Sequence, residues 1–84
     1  MSDITMYTTR FCPYCVRARM LLESKNVSFT DIRVDEQPER RSEMEQKANR
    51  TSVPQIFIGE FHVGGCDDLF ALEQQGELDT KLGR

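Results

Sequence analysis

Two cysteines two residues apart, Cys12-Pro13-Tyr14-Cys15, stand where a strand-like stretch gives way to a helix-like one, and no other feature constrains this chain as tightly. Ile4-Thr5-Met6-Tyr7-Thr8 alternates and is rich in β-formers, so a strand is predicted to end just before the pair. From Pro13 to Lys25, Val16, Met20 and Leu21 recur at helical spacing among Arg17, Arg19 and Glu23. Pro13 suits a first helical turn, and Asn26 can end the helix in a left-handed cap. On the first turn of a helix, sulfurs at this spacing are close enough to bridge, and the N-terminal dipole favours thiolate over thiol. The same pair could form half of a zinc site. Such a site needs about four ligands, and Cys66 and His62 are the only further candidates, a poor set. No metal is expected, and His62, alternating with Phe61 and Val63 on a predicted strand, is given no catalytic part.

Downstream, Phe29 to Val34 reads as a second strand ending near Asp35, and Pro38 opens a helix to about Ala48 with a thin apolar face, Met44 and Ala48. Gln55-Ile56-Phe57-Ile58, Gly59-Glu60 and Phe61-His62-Val63 read as a hairpin broken by Gly64-Gly65. Asp67 or Cys66 then caps a helix carrying Leu69, Phe70 and Leu72, with Leu78 and Leu82 continuing its apolar stripe beyond Gly76. Strand, helix, strand makes a right-handed crossover unit, and the hairpin adds antiparallel strands, giving a small mixed α/β sheet flanked by helices.

With 84 residues the chain has room for one domain, residues 1–84. A net charge of −3, spread along the sequence, offers no footprint for nucleic acid, and Arg40-Arg41 is interrupted by acids on both sides. No apolar run approaches the roughly 20 residues of a membrane span, and Met-Ser-Asp-Ile lacks the features of a secretory signal, so a cytoplasmic location is expected. Three cysteines, an odd number, argue against a secreted disulfide framework.

A Cys-x-x-Cys pair beside such a crossover unit is a thioredoxin-like redox signal. Cys12-Pro13-Tyr14-Cys15, Ser52-Val53-Pro54 and Gly64-Gly65-Cys66-Asp67-Asp68, in that order along essentially the whole chain, resemble the signature elements of dithiol glutaredoxins. The resemblance implies a thioredoxin-like fold, a four-stranded sheet of order 2-1-3-4 flanked by three or so helices. It implies glutathione as co-substrate, with no bound prosthetic group. Cys12 is the expected nucleophile, at or just before the helix start, with Arg10, Arg17 or Arg19 available to add positive charge. Cys15, one turn deeper, suits a resolving thiol.

By the same resemblance the Val53–Pro54 bond is cis and the Val53 backbone pairs with the cysteinyl part of glutathione. The Cys66 and Asp67 backbone N–H groups, at the Gly65 turn into the last helix, are expected to take the γ-glutamyl carboxylate, and the Asp67 side chain the amino group. Asp68 reads as an ordinary first-turn acid, Cys66 as a packed thiol, and Tyr14 either as a shield for the thiolate and contact for glutathione or as packing. Many members of the family carry a lysine three residues before the first cysteine, but here Thr9 stands there. Arg10 can replace that cation. Thr51, just before the Ser52 turn, joins the expected glutathione site, while Arg50 beside it reads first as a solvated arginine.

The expected function is a glutathione-dependent oxidoreductase that reduces protein disulfides and protein–glutathione mixed disulfides. It would act as a monomer, with ribonucleotide reductase among the expected partners. Two alternatives are an electron donor to ribonucleotide reductase that is itself reduced by thioredoxin reductase, and a carrier of an iron–sulfur cluster held by Cys12 and glutathione. Gly65 and Asp67 argue against the first, and Pro13-Tyr14 against the second, because cluster-binding relatives usually carry one cysteine followed by Gly-Phe-Ser.

Overall fold

Strand β1 (Ile4–Thr8) lies inside the sheet, parallel to β2 (Thr30–Arg33) on one side and antiparallel to β3 (Gln55–Ile58) on the other. The structure, a computed structural model, describes residues 3–83. β3 pairs antiparallel with β4 (Phe61–Gly64), so the strand order is β2-β1-β3-β4, as expected. A parallel neighbour demands a crossover, and α1 (Pro13–Ser24) supplies it.

The two-residue period of the strands sorts the core into two layers. Ile4 and Met6 of β1, with Ile56 and Ile58 of β3, pack against Ala18 and Leu22 of α1, Leu69 of α3 (Cys66–Gln74) and Leu78 of α4 (Leu78–Lys81). Tyr7 and Phe57, one residue out of step, face the other way and meet Ile32, Val34 and the predicted pair Met44 and Ala48 of α2 (Pro38–Ala48). Four helices therefore flank the sheet, because the left-handed Gly76 (φ 73°) breaks the C-terminal stripe and lets Leu78 turn back into the core.

The buried face of α1 is the predicted one only in part: of the three apolar residues named, Leu21 packs half-buried against the first core. Cys15, Ala18 and Leu22, at i, i+3 and i+7, point inward, whereas Val16 and Met20 are exposed. Two small residues on the inner face let the helix axis approach the sheet, and Leu22 fills the space behind them. Phe29 packs against the first core from outside β2, which starts at Thr30. Asn26 and Asn49, both at φ 57°, follow α1 and α2 in the left-handed conformation that asparagine tolerates. The N-cap of α3 is Gly65, one residue before Cys66 and two before Asp67, the two caps expected from the sequence.

Candidate active site

The strand-to-helix junction delivers the cysteine pair to the end of β1. Cys12 is the N-cap of α1, with extended backbone (φ −137°, ψ 98°), and its Sγ accepts the Cys15 N–H at 3.1 Å. The capping position is thus filled by sulfur, with no acidic residue in the first turn to oppose charge on it. Cys12 and Cys15 are joined in a disulfide with their Cα atoms 5.1 Å apart, the oxidised form of the couple. Cys15 is 1 % exposed and Cys12 9 %, so Cys12 is the more accessible of the two.

Beside Cys12 opens a cleft of about 270 Å³. One wall is the turn Ser52-Val53-Pro54, whose Val53–Pro54 bond is cis, and the Val53 carbonyl oxygen lies 3.9 Å from Cys12 Sγ. Bonded to Cys15, that sulfur carries no proton, so this is a contact rather than a hydrogen bond. The opposite wall is the start of α3, Gly65 to Asp68, and Tyr14 and Arg50 complete the lining. The first N–H groups of α3 therefore face a space bounded across the way by a peptide backbone, a setting for a carboxylate at one end and an extended chain at the other.

Two supports hold these walls. Asp68 Oδ2 accepts both the Gly65 N–H at 2.9 Å and Arg50 Nη1 at 3.0 Å, and these donors hold its carboxyl below the usual aspartate value. On the other side, fully buried Gln55 donates from Nε2 to the Ser52 carbonyl at 3.0 Å and meets His62 Nε2 through Oε1 at 2.7 Å. With Gln55 Oε1 accepting, His62 Nε2 carries the proton. The His62 ring stacks on Phe57 (4.8 Å, 24°) and braces the turn through Gln55, and burial, then the charge of Arg50, push its pKa down. Cys66 is buried at the cleft floor, and burial pushes its thiol up, ahead of the charge of Asp67.

A family model for glutaredoxins matches residues 4–63, well over half of the chain. The chain belongs to the glutaredoxin family. A glutaredoxin of Pseudomonas aeruginosa is 56 % identical over 82 residues, covering 98 % of both chains. The solution structure of a glutaredoxin from Brucella melitensis superposes with a TM-score of 0.84 at 50 % identity, covering 100 % of this chain and 94 % of the other. A crystal structure of a buckwheat glutaredoxin–glutathione complex gives a TM-score of 0.88 at 25 % identity, covering 98 % and 77 %.

As a glutaredoxin the protein has a thioredoxin-like fold and is a thiol-disulfide oxidoreductase, and the Cys12–Cys15 pair is the couple that such chemistry needs. Of the residues singled out from the sequence, Tyr14, Val53, Pro54, Gly65, Cys66 and Asp67 line the cleft. Arg10 and Thr51 are not in that lining: Arg10 lies over the Phe11 ring, and the Thr51 carbonyl accepts from Arg41 Nη1 at 3.1 Å. Arg19 is engaged by Asp31 at 2.6 Å. Arg50, read first as a solvated arginine, is exposed and also lines the cleft, and Gln55 was missed altogether. Asp68 had one legible signal, an acid three residues after the helix-capping glycine.

Proposed function

We propose that the protein reduces protein–glutathione mixed disulfides and protein disulfides at the expense of glutathione. The observation that carries this reading is the placement of Cys12 Sγ at a helix N-terminus, 3.9 Å from the Val53 carbonyl, with the start of α3 across the same cleft. In this reading glutathione lies extended between the walls. Its cysteinyl backbone pairs with Val53, its γ-glutamyl carboxylate meets the N–H groups of Cys66 and Asp67, and its amino group the Asp67 carboxylate. Its glycyl carboxylate meets Arg50, which takes the place of the cation absent at Thr9. The similar buckwheat protein, solved as a glutathione complex, supports the reading.

The Cys12 thiolate attacks the glutathione sulfur of a mixed disulfide. The Cys12–glutathione bond forms, the protein–glutathione bond breaks, and the protein thiolate leaves and takes a proton from solvent. A second glutathione, as thiolate, attacks the bound glutathionyl sulfur and releases oxidised glutathione and Cys12. For a protein disulfide, Cys12 forms a mixed disulfide with the substrate, Cys15 displaces the substrate thiol, and two glutathiones reduce the resulting Cys12–Cys15 bond. The reading takes the protein as a cytoplasmic monomer, with ribonucleotide reductase among its disulfide-bearing partners.

The test is a glutathione-coupled assay with a small mixed disulfide, run on the wild type, Cys12→Ser and Cys15→Ser. Cys12→Ser is expected to abolish turnover and Cys15→Ser to spare it while losing protein-disulfide reduction. Turnover that survives Cys12→Ser, or re-reduction by thioredoxin reductase but not by glutathione, overturns the reading.

A further inference from the structure

Among the described residues, Arg10, Arg17, Lys47 and Lys81 are the cations that take part in no salt bridge. Each stands over an aromatic ring instead. Two of the four frame the reactive pair: Arg10 lies 5.2 Å from the centre of the Phe11 ring and Arg17 5.8 Å from that of Tyr14. Phe11, the residue before Cys12, is 87 % exposed, and Tyr14 is 54 % exposed. An apolar ring held out in water beside the sulfur that does the chemistry contributes nothing to the core, and neither Phe11 nor Arg17 lines the glutathione cleft.

A guanidinium laid on a ring is restrained in position while its N–H edges stay free, so it is pre-set to take a carboxylate edge-on. In a protein whose net charge is −3, two arginines that flank the cysteine pair in sequence and whose guanidinium groups no carboxylate takes up are free to meet a partner's acids. Such a rim draws in acidic partners and turns away basic ones.

We propose that Arg10, Phe11 and Arg17 form a docking rim for the protein half of a mixed disulfide. Its occupant is a polypeptide segment whose reacting cysteine is flanked by acidic side chains and one apolar side chain. The apolar side chain covers Phe11, and the carboxylates take the two arginines. This inference rests on the reading of the protein as an enzyme for glutathionylated substrates, and it adds what selects among them.

The experiment uses three glutathionylated peptides that share a central cysteine with a leucine beside it and differ only in flanks of glutamate, glutamine or lysine. The readout is single-turnover release of the peptide thiol by the dithiol-reduced protein, which needs no glutathione recycling. Release should rank glutamate above glutamine above lysine, by about three- to fivefold for each arginine engaged. The spread should collapse in about 0.5 M salt. Arg10→Glu with Arg17→Glu should invert the ranking within the same variant. Phe11→Ser should slow all three peptides alike while leaving release from a small non-peptide mixed disulfide at the wild-type rate. Equal rates for the three peptides, an unchanged ranking after charge reversal, or a loss in Phe11→Ser traced to a dimer that the wild type forms through this face would each overturn the rim. Failure of glutathione to sustain multiple turnover, with the peptide ranking intact, would remove glutathione as reductant and leave the rim standing.

Discussion

Gly64 and Asp68 are fitted to one another: a β-carbon on Gly64 would stand 2.3 Å from Asp68 Oδ2, the oxygen that holds the Gly65 N–H and Arg50. Gly64 also sits at φ +114°, outside the range of ordinary L-residues. Gly64→Ala therefore strains the backbone and evicts the carboxylate that holds the start of α3 and Arg50. The expected loss is about 1–3 kcal/mol, read as a Tm drop of about 4–8 °C for each kcal/mol, together with a raised KM for glutathione. A variant with wild-type Tm and KM would show that Asp68 has somewhere else to go.

Gln55 links the Ser52 carbonyl to His62 from a fully buried position. Gln55→Leu removes both bonds and leaves two polar groups without partners, at a cost of about 1–3 kcal/mol. Denaturant unfolding measures that cost. The coupled assay should show kcat/KM for glutathione falling while alkylation of reduced Cys12 proceeds at the wild-type rate, because the Gln55 bonds support the turn and not the sulfur.

The Tyr7 hydroxyl donates to Glu43 Oε2 at 2.5 Å, and burial, then the Glu43 contact, push its pKa from 10.0 up to about 12. Above pH 10 the unfolded chain gives up this proton while the native state keeps it, so stability falls as pH rises from about 10 to 12. The Tyr7 contact leads the influences that hold Glu43 below 4.5, so the Glu43 contribution is present above that value and is lost as pH falls through its native pKa. Urea midpoints across pH, with Tyr7→Phe as reference, and phenolate absorbance read both limbs. A tyrosine population titrating wholly near pH 10 in the folded protein would contradict the assignment.

Leu22 and Met20 sit two residues apart on α1, one fully buried and the other exposed. Leu22→Ala should cost about 2–5 kcal/mol. Met20→Ala should stay within about 0.5 kcal/mol of wild type. Comparable losses at the two positions would mean that the helix is rotated from the orientation described.

These positions also mark where the sequence was readable. Strand β1, the hairpin and the Met44–Ala48 face follow from period and turn residues, signals confined to a few neighbouring positions. The rotation of α1 does not, because hydrophobicity favours Val16 and Met20, while the bond from Cys12 to Cys15 and the need for small residues against the sheet turn Ala18 inward. Arg50 reached the cleft because Asp68, on an element folded in from elsewhere, holds it. The Gln55–His62 bond depends on the register of β3 against β4, which shifts between Ile56 and Phe57 and brings His62 opposite Phe57. The cleft's backbone components were legible through three short motifs, whereas the side chains that brace it come from pairings that only the closed fold creates.

The unequal burial of Cys12 and Cys15 gives the molecule a single port. On the proposed reading, exchange with a partner passes through the Cys12 sulfur, and Cys15 works behind it. Partner choice can then change through the few side chains around that opening, with the inner thiol, the helix and the sheet left as they are. A chain of this length can in this way serve many clients with one piece of chemistry, because the rim is free to vary where the port is not.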